Sequence, residues 1–567
     1  MGAHDTTSMG SSPGVSIDLI RPALPARLAG LGSIFGKGFR DSRRTIVILS
    51  VLMAVLIAVV ASQVAIEYGT VAKRLALAGQ MALLPEIFQG MLGKPVNIET
   101  LGGFLSWRSF GILPVMIGIW SVVALSGTLA TELARGSLDA LAAGPISRRR
   151  LAAEKLGSHV AALAVVVLSL AVVTWASIAA FGNLPGDQIG PGPVFAQHVW
   201  VFVATLAPGA VAFAVAPALG RGMALGVGSV VLFGSFIISG YADSVEAFDR
   251  VRSLSYFGLT AGHRPMAGAW DWGSIGVLSA VILLALGIGI VLFDRRDLVV
   301  PSGGKQRIPA LRLGVAGPFT RSYFERVPAA IAWGLGIGLY GLVLATSADE
   351  FVAQLSSIPE VQTMIARLFP DADILSTGGF LQLAFFSEAI IMVALAAAAF
   401  VGGWASDEGE RRLEIVLGAP ISRVGYALKS GLGVYLAIAT LILFADLGVI
   451  LGAAIQGESG LDIAIGVSVL GAYGMAIAGV GLAVGGLTRP SIAAPVTIGL
   501  GFAFYLLDLL GSILRLPDWI VDLSLNQHLG TPILGNFDGF GLVLCAVMAI
   551  GGLGLSAIGM QRRDIGR

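Results

Sequence analysis

The 567-residue chain holds one cysteine, Cys545, so it can form no internal disulfide and offers no cysteine-based metal site. Its five histidines are His4, His159, His198, His263 and His528, and no two stand at H-x-x-x-H spacing, which argues against zinc. No G-x-x-x-x-G-K-[ST] stretch occurs, so the chain lacks a phosphate-cradling loop. Gly93-Lys94 and Gly304-Lys305 miss both the upstream glycine and the following hydroxyl. A G-x-S-x-G nucleophile elbow is absent too. Charge is scarce: 13% of residues are charged, against about 25% in a soluble chain. The net charge of +1 leaves no basic excess for nucleic acid. These absences point away from an enzyme and away from an ATP site in this chain.

What is abundant is apolar length. Hydrophobic residues make up 56% of the chain and the mean hydropathy is +0.85. Apolar runs long enough to cross a bilayer recur at about 45–66, 109–130, 156–181, 194–216, 222–241 and 274–293. Six more lie at about 328–346, 383–405, 431–454, 461–486, 491–511 and 539–560. The sequence therefore predicts an all-α polytopic membrane protein with 12 spans. No cleavable signal is visible, because the first long run follows Arg43-Arg44. Residues 1–16 read as a disordered tail, 17–299 as a first six-span half, 300–308 as a linker and 309–567 as a second six-span half. Residues 24–40 place Leu24, Leu28, Leu31 and Phe35 on one helical face with Arg27, Lys37 and Arg40 at its edges. Residues 309–327 hold Phe319, Tyr323 and Phe324 with three arginines. Both segments suit helices lying in the interface.

One charged stretch occurs twice, about 275 residues apart: TELARGSLDALAAGPISRRRLAAEK at 131–155 and SDEGERRLEIVLGAPISRVGYALK at 406–429. A repeat at that distance means two copies of a domain rather than a solenoid. GGFL likewise occurs at Gly102–Leu105 and Gly378–Leu381, each at the end of a polar segment, and R-R-D ends both the sixth and the twelfth apolar run. An even number of spans per half makes the repeats parallel. With both termini inside, about 27 of the 36 Lys and Arg residues face the cytoplasm, as the positive-inside rule requires. Both charged islands then face the cytoplasm. The mixed apolar-polar segments at 242–272 and 512–538 face outside, too polar to span and too apolar for ordinary loops. In the first island Glu132, Arg135 and Asp139 fall on a polar helical face opposite Leu138, Leu141 and Ala142. Pro145 stops the helix, Ser147 can cap the next one and Arg148 sits at the headgroups. An ordinary loop explains one such island, but a matched pair suggests docking surfaces.

E-x-x-x-G-[ST]-L-[DE] followed by P-[IV]-S-R between the second and third spans resembles the coupling-helix region of type-2 ABC exporter permeases. Glu132, Gly136, Leu138, Asp139, Pro145, Ser147 and Arg148 match in the first half. Asp407, Leu413, Glu414, Pro420, Ser422 and Arg423 match in the second, where Glu410 aligns with Arg135 and Arg411 stands in place of the glycine. The double-length form is similar to exporters of polyketide antibiotics, of the tetronasin type. The resemblance implies that two copies of a separate ATPase subunit, carrying the ATP and Mg, dock on the islands. It also implies interfacial helices beside a lateral gate, external re-entrant hairpins that seal the mouth, and export of amphipathic small molecules through the plasma (inner) membrane. Membrane lipid and the cargo are the other expected partners.

Three ionisable residues fall within or beside apolar runs, Glu388, Asp446 and Asp508, and are candidates to line a transport path. Asp446 lies about 24 Å from the cytoplasmic start of its span, with Ala439 and Ala453 on its face. Its counterpart at the 275-residue offset is Ala171. It either lines the outer part of the path, favouring cationic or hydroxyl-rich cargo, or bonds a neighbouring helix. An ion-coupled secondary transporter, a lipid-modifying membrane enzyme and an ABC exporter of lipid or glycan are the other readings of the same sequence.

Overall fold

The computed structural model describes residues 33–82, 93–128, 147–243, 246–295, 317–356, 376–409, 412–457, 459–514 and 516–563. Among them eleven helices are long and apolar enough to cross a bilayer, and a twelfth span is a pair of helices bent by 41°. Spans 1 to 6 are Ile34–Glu67, the pair Leu101–Arg108 and Leu113–Thr128, Arg148–Phe181, Pro191–Arg221, Met223–Tyr241 and Trp272–Arg295. Spans 7 to 12 are Val327–Asp349, Thr377–Glu408, Arg423–Ile455, Leu461–Leu487, Pro490–Asp508 and Gly539–Arg562. The chain is an all-α polytopic membrane protein. Helices are the available solution because hydrocarbon offers no partner for backbone N–H and C=O groups.

The two halves repeat one packing scheme. Span 1 packs along span 3 as span 7 packs along span 9, and span 4 meets span 6 as span 10 meets span 12. Small residues set how close these pairs come. On span 10 Gly479 and Gly486 face Gly552 and Gly559 of span 12, where a methyl group added at Gly552 would stand 2.3 Å from the Gly479 carbonyl oxygen. Without an extruding hydrophobic force in lipid, such backbone-to-backbone contact is what holds helices together. The halves meet where span 1 touches span 11 and, reciprocally, where Tyr241 at the end of span 5 lies 6.4 Å from Tyr340 of span 7. One apolar core runs through both halves, and span 8 is the most buried of the long spans.

Three elements differ from what the sequence suggests. Residues 34–40 do not form a separate interfacial helix: they continue into span 1, a 34-residue helix about 51 Å long that overreaches the hydrocarbon. The rest of the expected segment, 24–32, lies outside the described residues; ahead of span 7 a separate short helix, Pro318–Phe324, is present. GGFL opens a helix rather than ending a loop. Thr100 and Ser376 act as N-caps, their hydroxyls accepting from Gly103 N–H and Gly379 N–H at 3.1 Å each. Soon after each cap the helix is irregular, with a break at residues 109–112 in span 2 and a π-helical turn, Gln382–Phe386, in span 8. The mixed segments fold into short helical turns over the same end. They include Tyr256–Leu259 in the first half, and Asp518–Val521 with a hairpin pairing Gly530–Thr531 to Asn536–Phe537 in the second.

The first half is pinned at this end by a buried ion pair. Arg74 Nη1 lies 2.5 Å from Asp187 Oδ1, with side-chain exposures of 2% and 0%. Asp187 also accepts from Leu101 N–H at 2.7 Å and Leu184 N–H at 3.0 Å, and Arg74 donates to the Tyr68 carbonyl at 3.0 Å. The pair thereby ties the segment after span 1, the start of span 2 and the loop after span 3. Asp187→Ala would leave a buried guanidinium and two buried N–H groups unmatched, a loss of about 3–5 kcal/mol. The expected outcome is a marked fall in the thermal unfolding midpoint of the detergent-purified protein; an unchanged midpoint would deny the pin.

Candidate functional site

At one end of the molecule the structure joins the two repeated motifs that the sequence shows separately. In the first half Ser147 caps span 3, its hydroxyl accepting from Arg150 N–H at 3.3 Å. Arg148 Nη1 donates to the Asp294 carbonyl at 3.4 Å and Arg149 Nε to the Asp294 carboxylate at 2.7 Å. In the second half Ser422 caps span 9 through Gly425 N–H at 3.0 Å, and Arg423 Nη1 donates to the Arg563 carbonyl at 2.9 Å. The P-I-S-R arginine thus reaches the end of the sixth span of its own half in both copies. Arg563 extends the clamp by donating to the Thr488 carbonyl at 2.9 Å and pairing with Glu408.

The island residues take unlike places. Glu132, Arg135, Leu138, Asp139, Pro145 and Glu410 lie outside the described residues. In the second island the helix Arg412–Leu417 buries Leu413 and exposes Glu414, with Pro420, Ser422 and Arg423 exposed beyond it. Asp407 points inward instead. Its carboxylate accepts from Arg321 Nη2 and from the Tyr426 hydroxyl at 3.0 Å each, so it tethers the Pro318–Phe324 helix to spans 8 and 9. Burial opposes the charge on Arg321, but the hydrogen bond to Glu325 and the nearby Asp407 more than offset it and raise its pKa. Arg326 strengthens the same joint by donating to the Phe400 carbonyl at 3.0 Å and to Ser322 Oγ at 3.0 Å.

The three candidate path carboxylates do not converge. Asp446 accepts from Ser468 Oγ at 3.1 Å, a bond between spans 9 and 10 within one half. Asp508 accepts from Asn526 Nδ2 at 2.6 Å and Gln527 Nε2 at 2.8 Å, which ties span 11 to the mixed segment after it. Glu388 alone of the three lines a chamber of about 290 Å³ at the end opposite the islands. Most of that chamber belongs to the first half: Leu56 and Val60 of span 1, the break in span 2, spans 4 and 5, and the mixed segment. Glu388 and Tyr505 close it from the second half.

Charges at its rim are mutually paired. Asp243 accepts from Lys94 at 3.0 Å and from Arg252 at 2.6 Å. Burial pushes the Asp243 carboxyl up, yet these two bonds outweigh it and hold the pKa below its ordinary value. Arg264 donates to the Lys94 carbonyl at 2.7 Å. Deeper in, Arg108 rests beside the Trp107 ring, 5.9 Å from its centroid. Arg108 was missing from the sequence-based candidates although it carries the signal that exposes such residues, a charge just ahead of an apolar run.

Residues 323–561, taking in spans 7 to 12 but for the first residues ahead of them, match the family model described as multidrug efflux system permease Rv1217c, C-terminal domain. The second half is thus similar to the C-terminal domain of a multidrug efflux permease. No curated protein matches the chain. The matched half is also the one whose island, clamp and Asp407 tether the structure describes more fully.

Asp407→Asn keeps the shape of that tether and removes its charge, a loss of about 1.5–3 kcal/mol for charge-assisted bonds in a half-buried joint. The expected outcome is a lower thermal unfolding midpoint, with Tyr426→Phe falling between it and the unaltered protein. Equal midpoints for all three would remove Asp407 from the joint.

Proposed function

We propose that the chain is the membrane-spanning subunit of an ATP-driven type-2 ABC exporter, resembling the tetronasin-type exporters of polyketide antibiotics. It moves amphipathic small molecules out of the cell through the plasma membrane. Two copies of a separate ATPase subunit, which hold the ATP and Mg, dock on the islands, one around Glu414 and one around Asp139. Both termini are cytoplasmic. The observation that supports this reading is the matched clamp: Arg148 and Arg423 each fasten an island to the end of the last span of its half. A push on either island then moves the start of a helix 33 or 34 residues long, spans 9 and 3, whose far end reaches the opposite side of the molecule. The match of residues 323–561 to a multidrug efflux permease model agrees with outward movement of drug-like compounds.

Orientation is tested on a Cys545→Ala background, since Cys545 is the only cysteine and is buried. Single cysteines at Ser147 and Ser422, both exposed, are expected to react with an impermeant maleimide only after the membrane is permeabilised. One at Glu246, exposed at the opposite end, is expected to react in intact cells. The reverse pattern would invert the protein.

Coupling is tested by the paired reversal Asp139→Lys with Glu414→Lys. Exposed ion pairs contribute only about 0.2–1 kcal/mol each. The double variant is therefore expected to lose ATP-dependent dye efflux from inverted vesicles more clearly than either single one, at unchanged protein level. Efflux that follows a proton gradient and ignores ATP would identify an ion-coupled transporter instead.

A further inference from the structure

The GGFL alignment places equivalent residues of the two halves 276 positions apart, and at the mouth these equivalents have opposite fates. In the second half the site is filled by protein. Gln382 accepts from Ile533 N–H at 3.0 Å, and the Ala384 carbonyl accepts from the Tyr340 hydroxyl at 2.6 Å. Their first-half counterparts are Ser106 and Arg108, and both line the open chamber. Ser106 Oγ and, across the chamber on span 4, Gln197 Oε1 are buried without a hydrogen-bond partner. The residues concerned are only 8% and 1% exposed. Arg108 makes no hydrogen bond or ion pair among the described residues. Tyr505 of the second half stands within electrostatic range of both Arg108 and Glu388.

An unmet polar group in such surroundings costs roughly 1–3 kcal/mol, and a guanidinium cannot discharge itself by losing its proton. Glu388 can, by taking one up. Arg108 is thus the group that requires an anion from outside the protein. Of the charges that line the chamber, Lys94, Arg108, Arg252 and Arg264 are basic, against Asp243 and Glu388. The remaining wall is apolar and largely aromatic, with Trp107, Phe110, Trp200, Phe236 and Phe257. The volume is close to the lower end of that for drug-sized pockets, about 300 Å³.

We propose that this chamber binds an amphipathic carboxylate, with the anionic head on Arg108 and on the Ser106 hydroxyl, which donates to it, a hydroxyl of larger ligands donating to Gln197 Oε1, and the apolar body against the aromatic wall. The groups that hold the head all belong to the first half, with Glu388 and Tyr505 closing the chamber from the second. The proposal rests on the efflux reading only for the purpose of the binding, since binding itself needs no ATPase.

The test uses the full-length protein in detergent and three probes of equal body, 1-pyrenebutyrate, its neutral amide and 1-pyrenebutylamine, read by energy transfer from tryptophan. The unaltered protein is expected to bind the acid saturably and at least tenfold more tightly than the amide or the amine. Arg108→Gln should abolish that preference and leave amide affinity within about twofold, whereas Arg108→Lys retains most of it. Ser106→Ala, which removes a donor to the carboxylate and keeps the guanidinium, should weaken acid binding about three- to tenfold, so a misfolded Arg108 variant does not leave the matter open. Equal affinity for acid and amide, no saturable binding, or acid binding untouched by Arg108→Gln would overturn the proposal. Displacement of the probe by phosphatidylglycerol in mixed micelles would overturn it in favour of a lipid-headgroup site. Normal acid binding without ATP-dependent export would instead count against the ABC reading and leave the site standing.

Discussion

A chain that lies mostly in hydrocarbon has to satisfy every backbone N–H and C=O within itself, and the rest of this structure follows from where that rule bends. Regular helix carries the rule through most of the spans; span 10 is interrupted at Ser468 and span 4 turns at Gly220, whose φ of +79° suits a residue without a side chain. Spans 2 and 8 bend it at one equivalent place, just after the capped GGFL turn. The break at residues 109–112 and the π turn Gln382–Phe386 both lie under the mixed segments, where protein supplies the missing partners. In the second half Gln382 is used up in that way, by Ile533. In the first half the same place opens into a chamber.

Symmetry and its loss divide the molecule end from end. At the island end the halves agree in detail. Ser147 and Ser422 cap equivalent helices, and Arg148 and Arg423 each reach a carbonyl at the end of the last span of its half. At the mouth the halves diverge: the first is pinned by Arg74 and Asp187 and lined with unmatched polar groups, and the second is closed upon itself. Under the proposed function, two like ATPase subunits would need like surfaces at the island end, whereas one well-formed site at the mouth would be enough.

The long helices join these two ends. Spans 3 and 9 start at the serine caps beside the islands and run about 50 Å, past the hydrocarbon on both sides. The tether of Arg321, Asp407 and Tyr426 adds the short helix ahead of span 7 to the same rigid assembly. The islands are therefore joined to the long helices by packed backbone and charge-assisted bonds.

The span count and the cap at Ser147 were legible in the sequence, because each is a local pattern of apolar length or spacing. Hydropathy located the apolar part of each span, but spans 1, 3 and 9 begin earlier, at Ile34, Arg148 and Arg423, because charged turns ahead of the apolar run continue the helix. Partnership was not legible. Asp407 and Glu414 read alike as island acids, yet one is buried against Arg321 and the other faces outward. Asp446, Asp508 and Glu388 read alike as intramembrane carboxylates, yet two are bonded to neighbours and one lines a chamber. The P-I-S-R and R-R-D motifs gave no sign that they touch, and Arg74 and Asp187 stand 113 positions apart. Sequence alone determined which residues enter the membrane, because transfer from water is a property of each residue and its near neighbours. Only the tertiary structure decided which charges are neutralised and which remain open for a ligand, because that depends on how distant helices pack together.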